Sequence, residues 1–207
     1  MVKKLNYNYL DMKGICFKEC LFWKTIEEKK NQTRRIIVSP TGAFTIHTFT
    51  DAFVDAWTTD EEGRELRPLF PRYQSGEIAY LKEPYATVDG EVIYKYNKDA
   101  DTPKREGVRW KNKLFMPESA ARYFIEFANH TAERLQSISP EDCIKEGIFR
   151  HISHNKVYYK NGHDELMYET PVCAYAALID RINGRGTWES NPWVWVYNYK
   201  LFNNKQA

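Results

Sequence analysis

At 207 residues, with 43% apolar side chains and 11 Phe, 14 Tyr and 6 Trp, the chain has the length and the apolar surface for one sizeable core. Its 30 Lys and Arg against 28 Asp and Glu leave a net charge of +2, which excludes a surface that grips nucleic acid everywhere and leaves only local basic patches. Disorder over most of the chain is excluded by the same composition, and no apolar run approaches the ~18 residues that span a membrane.

In chain order, residues 14–30 read as a first helix, in which Phe17, Leu21, Trp23 and Ile26 are mixed with Lys18, Glu19, Lys24, Glu27 and Glu28. Residues 35–38 and 43–49 are rich in β-branched and aromatic side chains, and Ser39-Pro40-Thr41-Gly42 between them supplies turn chemistry. Residues 51–73 hold acidic side chains with Pro68 and Pro71 and no sustained period, the pattern of a loop excursion with at most a short strand. Residues 78–81 form a compact strand candidate after Ser75-Gly76-Glu77. Asp89-Gly90 between 85–88 and 92–96 is a strong hairpin signal.

Residues 97–113 are expected to be an exposed basic loop, with Trp110 among Lys104, Arg105, Arg109, Lys111 and Lys113. A short helix follows Pro117, residues 123–135 have strand composition, and Ser139-Pro140 opens a helix that stops at Gly147. The polar, Tyr- and His-rich stretch 149–168 resembles a peripheral insertion. Val172, Ala176, Ile179 and Ile182 make the stripe of a helix ended by Asn183-Gly184, and residues 193–199 have the β-propensity of a central strand. The expectation is one α+β domain over residues 1–207, with insertions near 50–70, 97–113 and 149–168.

The cysteines, Cys16, Cys20, Cys143 and Cys173, show no C-x-x-C spacing and no close-set framework, and the first residues lack the apolar core of a signal peptide. Reduced thiols in a cytoplasmic protein are expected. His151, His154 and His163 lack the companion ligands of a metal motif. Neither a phosphate-binding loop nor a dinucleotide fingerprint is present, so no cofactor is expected.

Five blocks carry a family resemblance: KNQTRR at 30–35, GEIAYLKEP at 76–84, LFMP at 114–117, the stretch 133–147, and Ile182-Asn183-Gly184 followed by NPWVWV at 191–196. In order and rough spacing they resemble the longer ASCH-domain proteins of bacteria and their phages, over about residues 15–202. That resemblance implies a PUA-like mixed β-barrel with helices at its openings and a cleft beside the first helix for RNA or a modified nucleoside. Small members of the superfamily are amidohydrolases that deacetylate acetylcytidine with a lysine, a threonine three residues later and a downstream glutamate. Lys30, Thr33 and Glu146 occupy the matching positions. The longer members are not established enzymes as a group, and the resemblance is equally compatible with an interaction protein of phages or mobile elements that has no catalysis.

The residues themselves allow this chemistry beside plainer roles. Lys30 and Thr33, three apart at a helix end, share a face; a threonine hydroxyl needs a base to become nucleophilic, and a partly dry site with Arg34 nearby lowers the pKa of a lysine toward that role. The same pair also fits a solvated basic helix end. Glu146, at the end of a helix, suits the protonation of a leaving nitrogen, and equally an exposed frayed end. Lys29, Arg34 and Arg35 are candidate phosphate contacts, or a solvated charge run. Trp110 and Trp193 are candidate stacking platforms for a base, or packed anchors.

Overall fold

The structure of the chain, a computed structural model, describes residues 12–40, 42–50, 53–97 and 107–202. Its fold is mixed α+β, with strands in several sheets and four α-helices among the described residues. The main sheet has five strands in the order β1-β6-β9-β12-β2: β1 (Lys13–Cys16), β2 (Gln32–Ile36), β6 (Ile78–Lys82), β9 (Phe124–Arg134) and β12 (Trp193–Phe202). β12 lies inside it because its run of Trp, Val and Tyr has no polar alternation and must be covered on both faces. Val194, Trp195, Val196, Tyr197 and Tyr199 are all buried. β12 is antiparallel to β9 from Trp193↔Arg134 to Phe202↔Phe124, with an irregularity between Asn198 and Tyr199, and antiparallel to β2, with Tyr197 opposite Thr33.

The two edge strands, β1 and β2, face one cavity from opposite ends of the strand order. The sheet is therefore strongly curved, but among the described residues it does not close: β1 pairs only with β6 and β2 only with β12. The Arg35 guanidinium crosses the gap to the Cys16 carbonyl at 3.1 Å.

Three helices pack against this sheet. Residues expected to form one long helix instead divide into β1 and a short α1 (Glu19–Ile26), because Gly14-Ile15-Cys16 is needed as an edge partner for β6. Gly14 has Lys82 lying across it: a Cβ there would stand 2.1 Å from Lys82 Cε. α2 (Pro140–Lys145) has the expected cap, Ser139 accepting from the Asp142 amide at 3.1 Å. α3 (Pro171–Asn183) ends at Gly184 as the sequence predicts, and starts just before the expected Val172, with Pro171 at its first position and Thr170 accepting from the Cys173 amide at 3.1 Å. Of the expected stripe, Ile179 is buried and Val172 and Ile182 pack against the core, while Ala174, Tyr175 and Leu178 widen the buried face because Tyr175 and Leu178 gain much from burial.

The peripheral segments hold more structure than their polarity suggests. Within 50–70, β4 (Phe53–Thr59) pairs on both sides, with β3 (Phe44–Thr50) and β5 (Glu65–Pro68), in a three-stranded sheet. Pro68 misled the sequence reading because proline is tolerated on an edge strand, which β5 is. β2 and β3, expected as neighbours around a turn, belong to different sheets. The hairpin β7 (Tyr85–Val88) with β8 (Glu91–Tyr94) turns at Asp89 (φ 52°) and Gly90 (φ 83°), as Asp-Gly predicts. In 97–113 only Asn97 and 107–113 are described, and Trp110 is half-buried. The 149–168 stretch is the hairpin β10 (Phe149–Ser153) with β11 (Lys156–Lys160), followed by a loop knotted around buried Asn161. A short α4 (Thr187–Ser190) leads into β12. No helix among the described residues is long and apolar enough to cross a membrane.

Because α2 carries Glu146 at its end, Ser139→Ala tests whether the cap holds that helix in place. A loss of about 1 kcal/mol is expected in urea denaturation; an unchanged midpoint would show that packing alone fixes α2.

Candidate functional site

Lys30, Thr33 and Glu146 line one cavity, in which Lys30 and Glu146 touch. The first two do not share a helix, as their spacing suggested: α1 ends at Ile26, and Glu28 in the left-handed region (φ 56°) reverses the chain. The amides of Lys29 and Lys30 both fold back to the Lys24 carbonyl, at 2.8 and 3.0 Å, which turns the Lys30 side chain inward before β2 begins. Thr33 then sits on β2. Glu146 arrives from the end of α2, where Gly147 takes φ 102° and packs so tightly that a Cβ would stand 3.1 Å from Leu21 and 3.5 Å from Lys30. Glycine is required there for both reasons.

The result is a buried ionic cluster. Lys30 Nζ lies 2.7 Å from Glu146 Oε2 and donates to the Gln32 carbonyl at 2.6 Å, with the lysine only 2% exposed. Arg34 Nη1 donates to the other Glu146 oxygen at 3.2 Å and to Gln32 Oε1 at 2.5 Å, while Nη2 reaches Glu133 at 2.7 Å and Asp142 at 3.3 Å. Burial lowers the pKa of Lys30, with Arg35 and Arg34 adding to the effect against the opposing pull of Glu146. Burial also works against the charge on Arg34, but Glu146, Tyr175 and Glu133 outweigh it, and its pKa is raised. Lysine is thus the cation of this cluster that can give up its proton.

These groups line a cavity of about 260 Å³, just below the usual size of small-ligand sites, about 300–1,000 Å³. Phe17, Leu21, Leu178, Ile179 and Ile182 make its apolar wall, and Lys18, Arg35 and Lys113 add positive charge. The Thr33 hydroxyl has no hydrogen-bond partner among the described residues. Neither has the hydroxyl of Tyr175, which is 1% exposed and lines the same cavity. Tyr175 was not singled out from sequence; placing the α3 stripe on Leu178 and Ile179 would have brought it inward.

The expected nucleic-acid contacts do not gather in one place. Arg34 is not a surface phosphate ligand, because its buried guanidinium is taken up by three carboxylates. Lys29 is exposed, pairs with Glu27 at 2.7 Å and lines a separate cavity between α1, α2 and Phe149. Trp193 is half-buried with the Arg134 guanidinium 4.7 Å from its ring centre, and neither it nor Trp110 lines the clefts around Thr33 and Arg35. Arg35 stands where the small cavity meets a wider cleft of about 780 Å³ between β1 and β2, lined also by Arg72, Lys82, exposed Phe70 and buried Trp195. No three His, Cys, Asp or Glu side chains converge into a metal site among the described residues.

Two measurements test this electrostatic picture. Glu146→Gln leaves Lys30 and Arg34 facing a neutral amide, and a loss of about 3–5 kcal/mol is expected from urea denaturation, the scale for removing one partner of a buried pair. A loss below about 1 kcal/mol would mean that the cations find other partners. Lys24 donates to the Gly147 carbonyl at 2.6 Å beside this cluster, and burial brings its pKa down to about 8 from 10.5. Between those values the unfolded chain binds more protons at this site, so its contribution to stability rises with pH through that window. Lys24→Met should remove that rise when urea midpoints at pH 7.5 and 10 are compared with the wild type.

No protein-family model, no curated protein and no solved structure matches this chain.

Proposed function

We propose that the small cavity deacylates an amide on the scale of an acylated nucleoside, acetylcytidine being the model substrate. The observation that carries this reading is the meeting of Lys30 and Glu146 at 2.7 Å in the cavity that Thr33 also lines, although Lys30 and Glu146 are 116 positions apart in sequence. The reading treats the curved sheet as a PUA-like barrel left open between β1 and β2, in keeping with the ASCH resemblance.

In the first step the Thr33 hydroxyl oxygen bonds to the amide carbon while Lys30, as the neutral amine, takes the hydroxyl proton. The 2.7 Å contact lets that proton pass to Glu146, which delivers it to the departing nitrogen as the C–N bond breaks. The amine leaves and an acyl ester remains on Thr33. Water then attacks that ester, Lys30 accepts its proton, and return of a proton to Thr33 frees the carboxylate product. Burial serves the cycle twice, by lowering the pKa of Lys30 and by keeping Glu146 within reach of it.

A second reading, binding of RNA or a modified nucleoside without turnover, is favoured by the wider cleft. Arg35, Arg72 and Lys82 surround it, and the exposed Phe70 ring offers a face on which a base can stack for about 1–3 kcal/mol. Such binding weakens steeply with salt as counterions are released.

Release of acetate from acetylcytidine separates the two. Under the hydrolase reading the wild type turns over, and Thr33→Ala and Lys30→Ala each abolish turnover. Below pH 10.5 the rate rises with pH, because the lowered pKa of Lys30 puts its loss of a proton within that range. A wild type that binds single-stranded RNA in a salt-dependent way but releases no acetate leaves the binding reading in its place.

A further inference from the structure

The cavity wall holds an oxygen that the scheme above leaves idle. Tyr175, in the first half of α3, is 1% exposed, and its hydroxyl has no partner among the described residues. A buried hydroxyl without a hydrogen bond costs about 1–3 kcal/mol, and native proteins leave few of them. Lys30, Arg34, Arg35, Lys113 and Glu146 of the wall are engaged. Lys30 holds Glu146 and the Gln32 carbonyl, Arg34 holds Glu146, Glu133, Asp142 and Gln32, Arg35 holds the Cys16 carbonyl, and Lys113 holds the Phe17 carbonyl. Both Glu146 oxygens face cations. Of the residues that line the cavity, Thr33 and Tyr175 are left with hydroxyls that no described group engages.

An amide matches that pair. Its carbon is the electrophile for Thr33, and its oxygen is an acceptor that needs a donor. We infer that the Tyr175 hydroxyl donates to the substrate's carbonyl oxygen and holds the negative charge that gathers there when the Thr33 oxygen bonds to the carbon and the C=O π pair moves onto oxygen. This inference rests on the deacylation reading and adds to it the group that binds the oxyanion. Burial, with Glu146 beside it, drives the phenol well above its ordinary pKa of 10, so it keeps its proton and acts as a donor across the working range. Arg34 nearby offsets part of the Glu146 charge.

Tyr175→Phe tests the role, since it removes the hydroxyl and keeps the ring that packs edge-on against Trp188 at 6.3 Å. With acetylcytidine as the probe, kcat is expected to fall about 10²–10³-fold, the usual effect of losing one oxyanion donor, with KM changed by less than about threefold. The melting temperature should stay the same or rise, because an unpaired buried hydroxyl has been removed. A variant with kcat within about threefold of wild type overturns the inference and leaves the deacylation reading standing. A variant that loses activity together with several degrees of melting temperature also overturns it, since the hydroxyl then has a structural partner. An inert wild type removes the deacylation reading, and the donor role with it.

Discussion

A carboxylate held between two buried cations fixes the arrangement around the cavity. Glu146 has one oxygen on Lys30 and the other on Arg34, and all three residues are at most 5% exposed. Desolvating such a cluster is costly, and it is tolerated only where each charge is met and the remaining donors find acceptors. Here they do. Gln32 offers its backbone oxygen to Lys30 and its side-chain oxygen to Arg34, and its amide nitrogen reaches Asn198 at 2.9 Å, which in turn reaches Asn129 at 2.7 Å. The orientation of Gln32 follows, because only its oxygen can face Arg34. The irregularity of β12 falls between Asn198 and Tyr199, where this polar chain crosses from β2 to β9. One network therefore ties α2, β2, β9 and β12 together.

That network also explains why the cavity keeps its polar lining while its wall is apolar. The side chains that close it, Leu178, Ile179 and Ile182 from α3 and Phe17 and Leu21 from the segment around α1, belong to the core or pack against it. Folding the core thus builds the cavity, and the charges inside it gain strength from the low dielectric that the same residues create. Next to it the sheet stays open between β1 and β2, and the wider cleft is basic, with Arg35 as the common post. A small chamber with an apolar wall thus adjoins a broad charged cleft.

A second buried ion pair stands apart from the cavity. Glu83, fully buried, takes both arms of Arg122, whose guanidinium lies 4.3 Å from the Tyr94 ring centre and 5.1 Å from that of Tyr123. It joins the end of β6 to the start of β9 and to the β7–β8 hairpin. The contrast with the first cluster lies in the surroundings: Arg122 is sandwiched by aromatic rings, whereas Lys30 and Glu146 border open space.

Some of this was legible in the residues alone. The Asp89-Gly90 turn, the Ser139-Pro140 start of α2, the Gly184 stop of α3 and the central position of β12 each depend on local chemistry: positive φ, a side-chain acceptor with a ring that has no amide hydrogen, a glycine beyond the last turn, and a run too apolar to face water. Lys30, Thr33 and Glu146 stand out because their residue types and order resemble a known pattern, although Lys30 and Thr33 do not share the helix face that their spacing suggests. Only the tertiary structure decided the rest. That α1 is short, that 53–59 and 65–68 are strands, that Arg34 is buried against three carboxylates, and that Tyr175 lines the same cavity all depend on partners far away in sequence. Local propensity is set by neighbours a few residues off, whereas burial and charge pairing are set by whatever the fold brings alongside, and a charged or hydroxyl side chain looks the same in sequence whether water or a cavity surrounds it.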